Sequence, residues 1–227
     1  MSTLTKWVIR ITAVIWMGFL YTYLKNPPFN FLVLNTFLAF IPIELSFHID
    51  KRKPRNPILF WIIVIIWLLF YPNTPYLLTD LFHLSLLQPY GSNGLLRLNN
   101  YMWFNYSLLM ISTISTSLLG FWGLDRVAKA IVDRFRSHSV VFTNIIIVGL
   151  TVLSSIGIFI GRFLRIHTIY LFLTPEQFIQ PLLSMWSDSA LLFMFLLTII
   201  QLLFFYLIKL IQSNHFNDNE SKPKDLK

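Results

Sequence analysis

Cysteine is absent from this 227-residue chain. Its absence excludes disulfides, thiolate metal sites and cysteine nucleophiles, and it leaves redox chemistry silent about compartment. Charge is scarce too: Asp, Glu, Lys and Arg make up 12% of residues, roughly half of what a soluble domain of this length carries. Acids are the scarcer sign, 10 against 18 basic residues, for a formal charge of +8. Apolar residues fill the chain instead, at 56% of positions with a mean hydropathy of +0.64. Segments long enough to cross a bilayer recur throughout, which points to one polytopic membrane domain.

Six apolar segments can be placed, at Trp7 to Leu24, Phe29 to Ile49, Pro57 to Tyr71, Tyr101 to Leu124, Val140 to Ile160 and Ala190 to Leu210. The first, flanked by Lys6 and Arg10, resembles a signal sequence. It lacks a small-residue cleavage site and five more segments follow, so it reads as a retained anchor. Cations fall in alternate loops. With the N-terminus inside, the inner segments hold 14 of the 18, and the outer loops hold Lys25, Arg97, Arg162 and Arg165. This asymmetry predicts N-in, C-in. It also explains the positive charge as a topology signal, and nucleic acid is not expected as a partner. Trp7, Trp61 and Trp122 near inner ends, with Trp103 and Trp186 near outer ends, suit headgroup anchoring.

Between spans, Asp125 to His138 carries mixed charge and reads as a short inner-surface helix. From Gln212 to Lys227 the chain is polar, which predicts a disordered cytoplasmic tail. No inverted three-plus-three repeat aligns. The third span, Pro57 to Tyr71, has 15 residues, about 22 Å of helix against a core of about 30 Å. Either the helix kinks at Pro72 and continues, or neighbouring helices cover a break.

The block that follows, YPNTPYLLTDLFHL (Tyr71 to Leu84), is the most unusual stretch of the chain. Proline at a first helical position and an extended residue before it predict Thr74 as a cap and a helix from Pro75 to Leu87. Tyr76, Thr79, Asp80 and His83 then share one face at i, i+3, i+4 and i+7. Such a stripe faces water at the interface or lines an outward-facing cavity. An aspartate turned to lipid would cost about 2.5–3.5 kcal/mol, so Asp80 needs water or a cation. Arg162 and Arg165, at i and i+3 on the outer end of the fifth span, are the candidate partners. They read equally as snorkelling anchors or as a fork for phosphate or carboxylate. Gly157 and Gly161 ahead of them have small-xxx-small spacing for close helix approach.

Other constellations are weaker. Thr174 and Gln177 have capping-box spacing, predicting a second short outer helix over Pro175 to Met185. Asp80 and His83 could share an ion with His167, Glu176 or Asp188, yet no paired-histidine motif exists. Ser112 to Ser117 read as helix-packing hydroxyls and not as nucleophiles. On the second span, Asn35, Glu44 and His48 are intramembrane polar groups, with Glu44 and His48 forming an ion pair beside Lys51 and Arg52.

Three motifs in order, Leu34-Asn-Thr-Phe-Leu-Ala-Phe-Ile-Pro42, Phe70 to Leu84, and Gly157-Ile-Phe-Ile-Gly-Arg-Phe-Leu-Arg165, resemble a bacterial family of multi-pass membrane proteins catalogued as a domain of unknown function. In that family the second arginine is followed by an Asn-Ser-Trp-Asp type run, whereas this chain reads Ile166-His-Thr-Ile-Tyr170. The resemblance implies an integral membrane protein and supplies no activity.

The expected fold is all-α: an integral membrane bundle of six transmembrane helices, N-in/C-in, with two short extracytoplasmic helices. Residues 1–211 form the membrane domain and 212–227 the tail, in the bacterial plasma membrane. The candidate polar site comprises Asn73, Tyr76, Thr79, Asp80, His83, Arg162 and Arg165, with no metal or cofactor expected. The function expected is non-enzymatic binding or movement of an anionic solute or lipid headgroup at an outward-facing site. The alternatives are an envelope enzyme acting on lipid-linked substrates, with Asp80 or His83 as general base, and a structural subunit that contacts another membrane protein.

Overall fold

The computed structural model describes residues 1–137, 139–164 and 175–220, and among these the chain is helical, without strands. In chain order the helices are α1 (Thr3–Tyr23), α2 (Phe31–Ser46), α3 (Pro57–Phe70), α4 (Asn73–Asp80) with a 3-10 extension (Leu81–Leu87), α5 (Asn100–Arg134), α6 (Val140–Phe159) ending in a π turn (Ile160–Leu164), α7 (Pro175–Ser184) and α8 (Asp188–Glu220). Five of the helical stretches are long and apolar enough to cross a membrane: Thr3–Tyr23, Pro57–Leu87, Asn100–Arg134, Val140–Leu164 and Asp188–Gln212. The chain is therefore a polytopic helical membrane protein. The sixth expected span is the shorter α2, 16 residues, about 24 Å long.

Several local expectations change. Asp125 onward is not a separate surface helix, because α5 runs unbroken to Arg134. Ala128, Ala130, Ile131 and Val132 are buried along that continuation, and good helix formers with an apolar stripe give the chain no reason to stop. The helix over the proline block begins at Asn73, not Pro75, and tightens to 3-10 after Asp80. The last helix extends past Gln212 to Glu220, since propagating a formed helix costs far less than starting one. The capping residue Thr174 and residues 221–227 lie outside the described residues.

The chain divides into two compact units, Met1–Leu150 and Thr151–Lys227. In the first, α1, α2, α4 and α5 pack around Leu20, Leu32, Ala39, Leu77, Leu108 and Leu109, all buried, and α3 packs against α2. One end of this unit collects cations. Arg10 grips Glu44 with Nε at 2.9 Å and a terminal nitrogen at 2.6 Å, and His48 Nε2 lies 3.0 Å from the same carboxylate. Glu44 thus meets His48, as the i, i+4 spacing predicts, and gains Arg10 of α1 as a further partner. Lys6 Nζ donates to Phe47 O at 2.7 Å, and Arg126 donates to Ile49 O at 2.6 Å and reaches Asp50 at 3.3 Å. Lys51 stands 3.6 Å from Asp133, while Arg134 donates to Pro54 O and covers the Phe60 ring.

Close helix approach at α5 rests on two glycines. A Cβ on Gly120 would overlap Thr74 Cγ2, and one on Gly123 would stand 2.5 Å from Ser46 Oγ. That proximity matters because Ser46 accepts from the buried Trp67 indole at 2.9 Å and donates to Pro42 O at 2.7 Å. Small residues at membrane helix contacts do this generally.

In the second unit a polar trio joins α6 to α8. Ser155 Oγ meets Gln201 Nε2 at 2.8 Å and Thr198 Oγ1 at 2.9 Å, with Gln201 fully buried. Side-chain bonds between membrane helices are worth about 0.6–2 kcal/mol each. Met185, Ala190 and Met194 form the apolar cluster beside it.

Gly120→Ala should lower stability by about 1–3 kcal/mol, as overpacking does, and Thr74→Ser, which removes the clashing methyl, should recover part of it. Thermal unfolding of the single and double variants in detergent measures this; an undiminished melting temperature for Gly120→Ala contradicts the contact.

Candidate functional site

Two prolines create the site. Pro72 and Pro75 bring no N–H and their rings crowd the preceding turn. The carbonyl that Pro75 would have bonded, Tyr71 O, accepts from Thr74 N at 3.0 Å instead. Asn73 Nδ2 turns back to Phe70 O at 2.9 Å, so this amide serves the break and does not reach toward a ligand. Tyr71 and Pro72 keep helical angles, φ −55 and −53. The outcome is a tight step between α3 and α4 that redirects the helix while sparing it an unfolded gap. Thr74 is no cap: it is buried, and its hydroxyl donates to Ala39 O of α2 at 3.3 Å.

Beyond the step, the stripe meets protein along much of its length. Asp80 is fully buried and Thr79 nearly so. Asp80 Oδ2 accepts from Asn35 Nδ2 of α2 at 2.8 Å. Thr79 Oγ1 donates to Tyr76 O at 2.7 Å, within its own helix. Thr113 Oγ1 of α5 donates to Leu77 O at 3.1 Å, supplying a partner where the helix tightens to 3-10 and carbonyls lose their usual donors. Tyr76 is half-buried.

His83, like Tyr76, is a member of the stripe that reaches the surface. Its side chain is 28% exposed while that of Asp80 is 0%. Nδ1 lies 3.0 Å from Asp80 O and 3.8 Å from Asp80 Oδ1. Both neighbours are acceptors, so Nδ1 carries a hydrogen, and Nε2 is the ring nitrogen not committed to Asp80. Phe31 of α2 covers the ring at 4.2 Å between centroids. A buried carboxylate steadied by an amide, with an imidazole turned outward beside it, can hold a proton or hydrogen-bond a ligand.

The structure thus gathers Asp80 and His83, adds Asn35 and Phe31, and assigns Asn73 and Thr79 to backbone bonds. Arg162 sits on the π turn in the second unit, half-buried; such turns recur at functional sites. Arg165, His167 and the side chain of Glu176 lie outside the described residues. Among the described residues no three His, Asp or Glu side chains gather to hold a metal. Asn35 was legible as an intramembrane amide, but nothing in its spacing pairs it with a carboxylate 45 positions away.

The family model for "Protein of unknown function (DUF1361)" matches residues 34–204, about three quarters of the chain. The chain belongs to this family. The matched span holds Asn35, the proline step, Asp80, His83 and Arg162. No curated protein matches the chain, and no solved structure does.

Asn35→Ala removes a donor from a buried carboxylate, which should destabilise by about 1.5–3 kcal/mol. A double-mutant cycle with Asp80→Asn, read by unfolding in detergent, should return a coupling of about 1–3 kcal/mol. Additive losses would show that the 2.8 Å contact is energetically idle.

Proposed function

We propose that this chain is a six-span, N-in/C-in protein of the bacterial plasma membrane. In this proposal it binds an anionic solute or lipid headgroup, without catalysis, at its extracytoplasmic face, and His83 makes the contact. The supporting observation is the division between neighbours: Asp80 is 0% exposed and engaged by Asn35, while His83 is 28% exposed. The Asp80 carbonyl orients the ring through Nδ1, and in the imidazolium form Nε2 carries the hydrogen that donates outward to the anion. Arg162 and Arg165 are separate cationic candidates for the same class of ligand.

The crossing of α2 supports six spans. Phe31 in its first turn covers His83, and Glu44 in its last turns is gripped by Arg10. The helix therefore runs the length of the first unit despite its 16 residues. Lys6, Arg10, Arg126 and Arg134 gather at the Glu44 end, the side that a positive-inside bias places in the cytoplasm.

A second reading rests on the same dyad. An imidazole whose Nδ1 is held by a backbone carbonyl at 3.0 Å, with the Asp80 carboxylate 3.8 Å away, leaves Nε2 to act as a general base, as an envelope enzyme acting on lipid-linked substrates would need. Asp80→Asn and His83→Ala strains with unchanged lipid and glycan composition would remove it.

The native lack of cysteine makes orientation directly measurable. Ser92→Cys should label in intact cells with an impermeant maleimide, and Ser137→Cys only after permeabilisation; the reverse pattern overturns the orientation. For the ligand, thermal-shift screening in detergent with inorganic phosphate, carboxylates and phosphatidylglycerol should give stabilisation that His83→Ala weakens about tenfold, the loss of one hydrogen bond to a charged group. An Arg162→Ala, Arg165→Ala double variant reports on the second unit independently. No ligand-dependent shift in any of these proteins counts against the proposal.

A further inference from the structure

Where α1 hands over to α2, a groove of about 570 Å³ runs between the two helices, within the range of small-ligand sites. Its floor is apolar, with Met17 and Gly18 from α1 and Val33, Leu34 and Phe37 from α2. Gly18 keeps the floor open, since a Cβ there would meet nothing within 4 Å. Tyr21, Leu34 and Phe37 are 67%, 56% and 51% exposed, so the groove faces sideways, toward what would be lipid.

Its mouth is polar. Lys25, Asn30 and Tyr21 line the end nearest the connection between the helices. All three are exposed, so an occupant can reach them. Among the described residues no hydrogen bond or ion pair engages their side chains, and Asn30, although it precedes α2, makes no capping bond. Lys25 is the charged residue of the lining, and no carboxylate there answers it.

Depth separates the two chemistries. Gly18 lies about 9 Å along α1 from Leu24, and Phe37 about 10 Å along α2 from Asn30. Arg10 meets Glu44 at the far end, so both helices descend together from the polar mouth. A ligand that matches the groove is therefore anionic at one end and apolar for about 10 Å below it. Free phosphate or a small carboxylate would leave the apolar floor uncovered. A neutral lipid would leave the ammonium unanswered, and that ammonium can hold a phosphate as a point charge.

We propose that this groove holds one glycerophospholipid with a net negative headgroup, its phosphate at Lys25 and Asn30 and one acyl chain against Gly18. The site is separate from His83. Its assignment to the extracytoplasmic leaflet rests on the orientation proposed above, whereas the binding itself does not. Native mass spectrometry of the full-length His83→Ala protein, which lacks the other anion contact, tests it with phosphatidylglycerol and phosphatidylcholine of identical chains. Retention of one phosphatidylglycerol in preference to phosphatidylcholine is expected. Added to this background, Lys25→Gln should weaken phosphatidylglycerol about fivefold and leave phosphatidylcholine unchanged. Gly18→Leu sends a side chain into open space, and leucine suits a helix better than glycine. It should keep or raise the lipid-free melting temperature while losing the preferred lipid. Equal retention of the two lipids, no retention in His83→Ala, or no effect of either groove variant would overturn the assignment. So would a dimer that Gly18→Leu dissociates, because a second copy would then fill the groove.

Discussion

A carboxylate with no exposure inside an apolar bundle is tolerable only if neighbouring groups hold it, and Asp80 is such a carboxylate. Asn35 donates to it at 2.8 Å from another helix. That bond sets the depth of α4 against α2, and the rest of the site follows from it. His83 comes one turn later, turned back toward the Asp80 carbonyl, and Phe31 closes over the ring from α2. Thr113 of α5 and Thr74 of α4 add bonds to helix carbonyls at neighbouring levels. Three helices are stapled by hydroxyl and amide groups where packing alone would let them slide.

The proline step makes this geometry reachable. A straight continuation of α3 would carry residues 76 to 83 along the same axis, in line with the apolar run. By denying two backbone donors, Pro72 and Pro75 force the chain to tighten, and Asn73 and Thr74 absorb the displaced carbonyls locally. Gly120 then admits Thr74 against α5. The same economy governs the opposite end of the unit, where Arg10, Lys6, Arg126 and Arg134 meet carboxylates or free carbonyls near helix ends. Both ends obey one constraint: in hydrocarbon a polar group unmatched by a partner costs several kcal/mol.

Much of the architecture was legible from residues alone. Long apolar runs announce helices because backbone groups in lipid must bond within their own segment. Cations in alternate loops match the cationic end that the structure assembles from Lys6, Arg10, Arg126 and Arg134. Boundaries were less legible. Stopping α5 at Leu124 followed its change of polarity, yet Ile131 and Val132 still find apolar cover, so the helix continues. Thr74 looked like a cap because it precedes proline, but an αR turn at Tyr71–Pro72 had already started the helix. Glu44 meets His48 as its spacing predicts, and a second partner 34 positions away, Arg10, joins them.

The sequence by itself determined that this is an all-helical chain of membrane character, that prolines perturb the helix after the third apolar run, and that Asp80 and His83 share a helix face. These are consequences of hydropathy, ring geometry and the 3.6-residue turn, all of them local. Only the tertiary structure decided that Asn35 holds Asp80, that Thr79 and Asn73 serve backbone, and that α1 and α2 leave a groove at Gly18. Each depends on which helices become neighbours and at what height, and no local periodicity encodes the register between segments tens of residues apart.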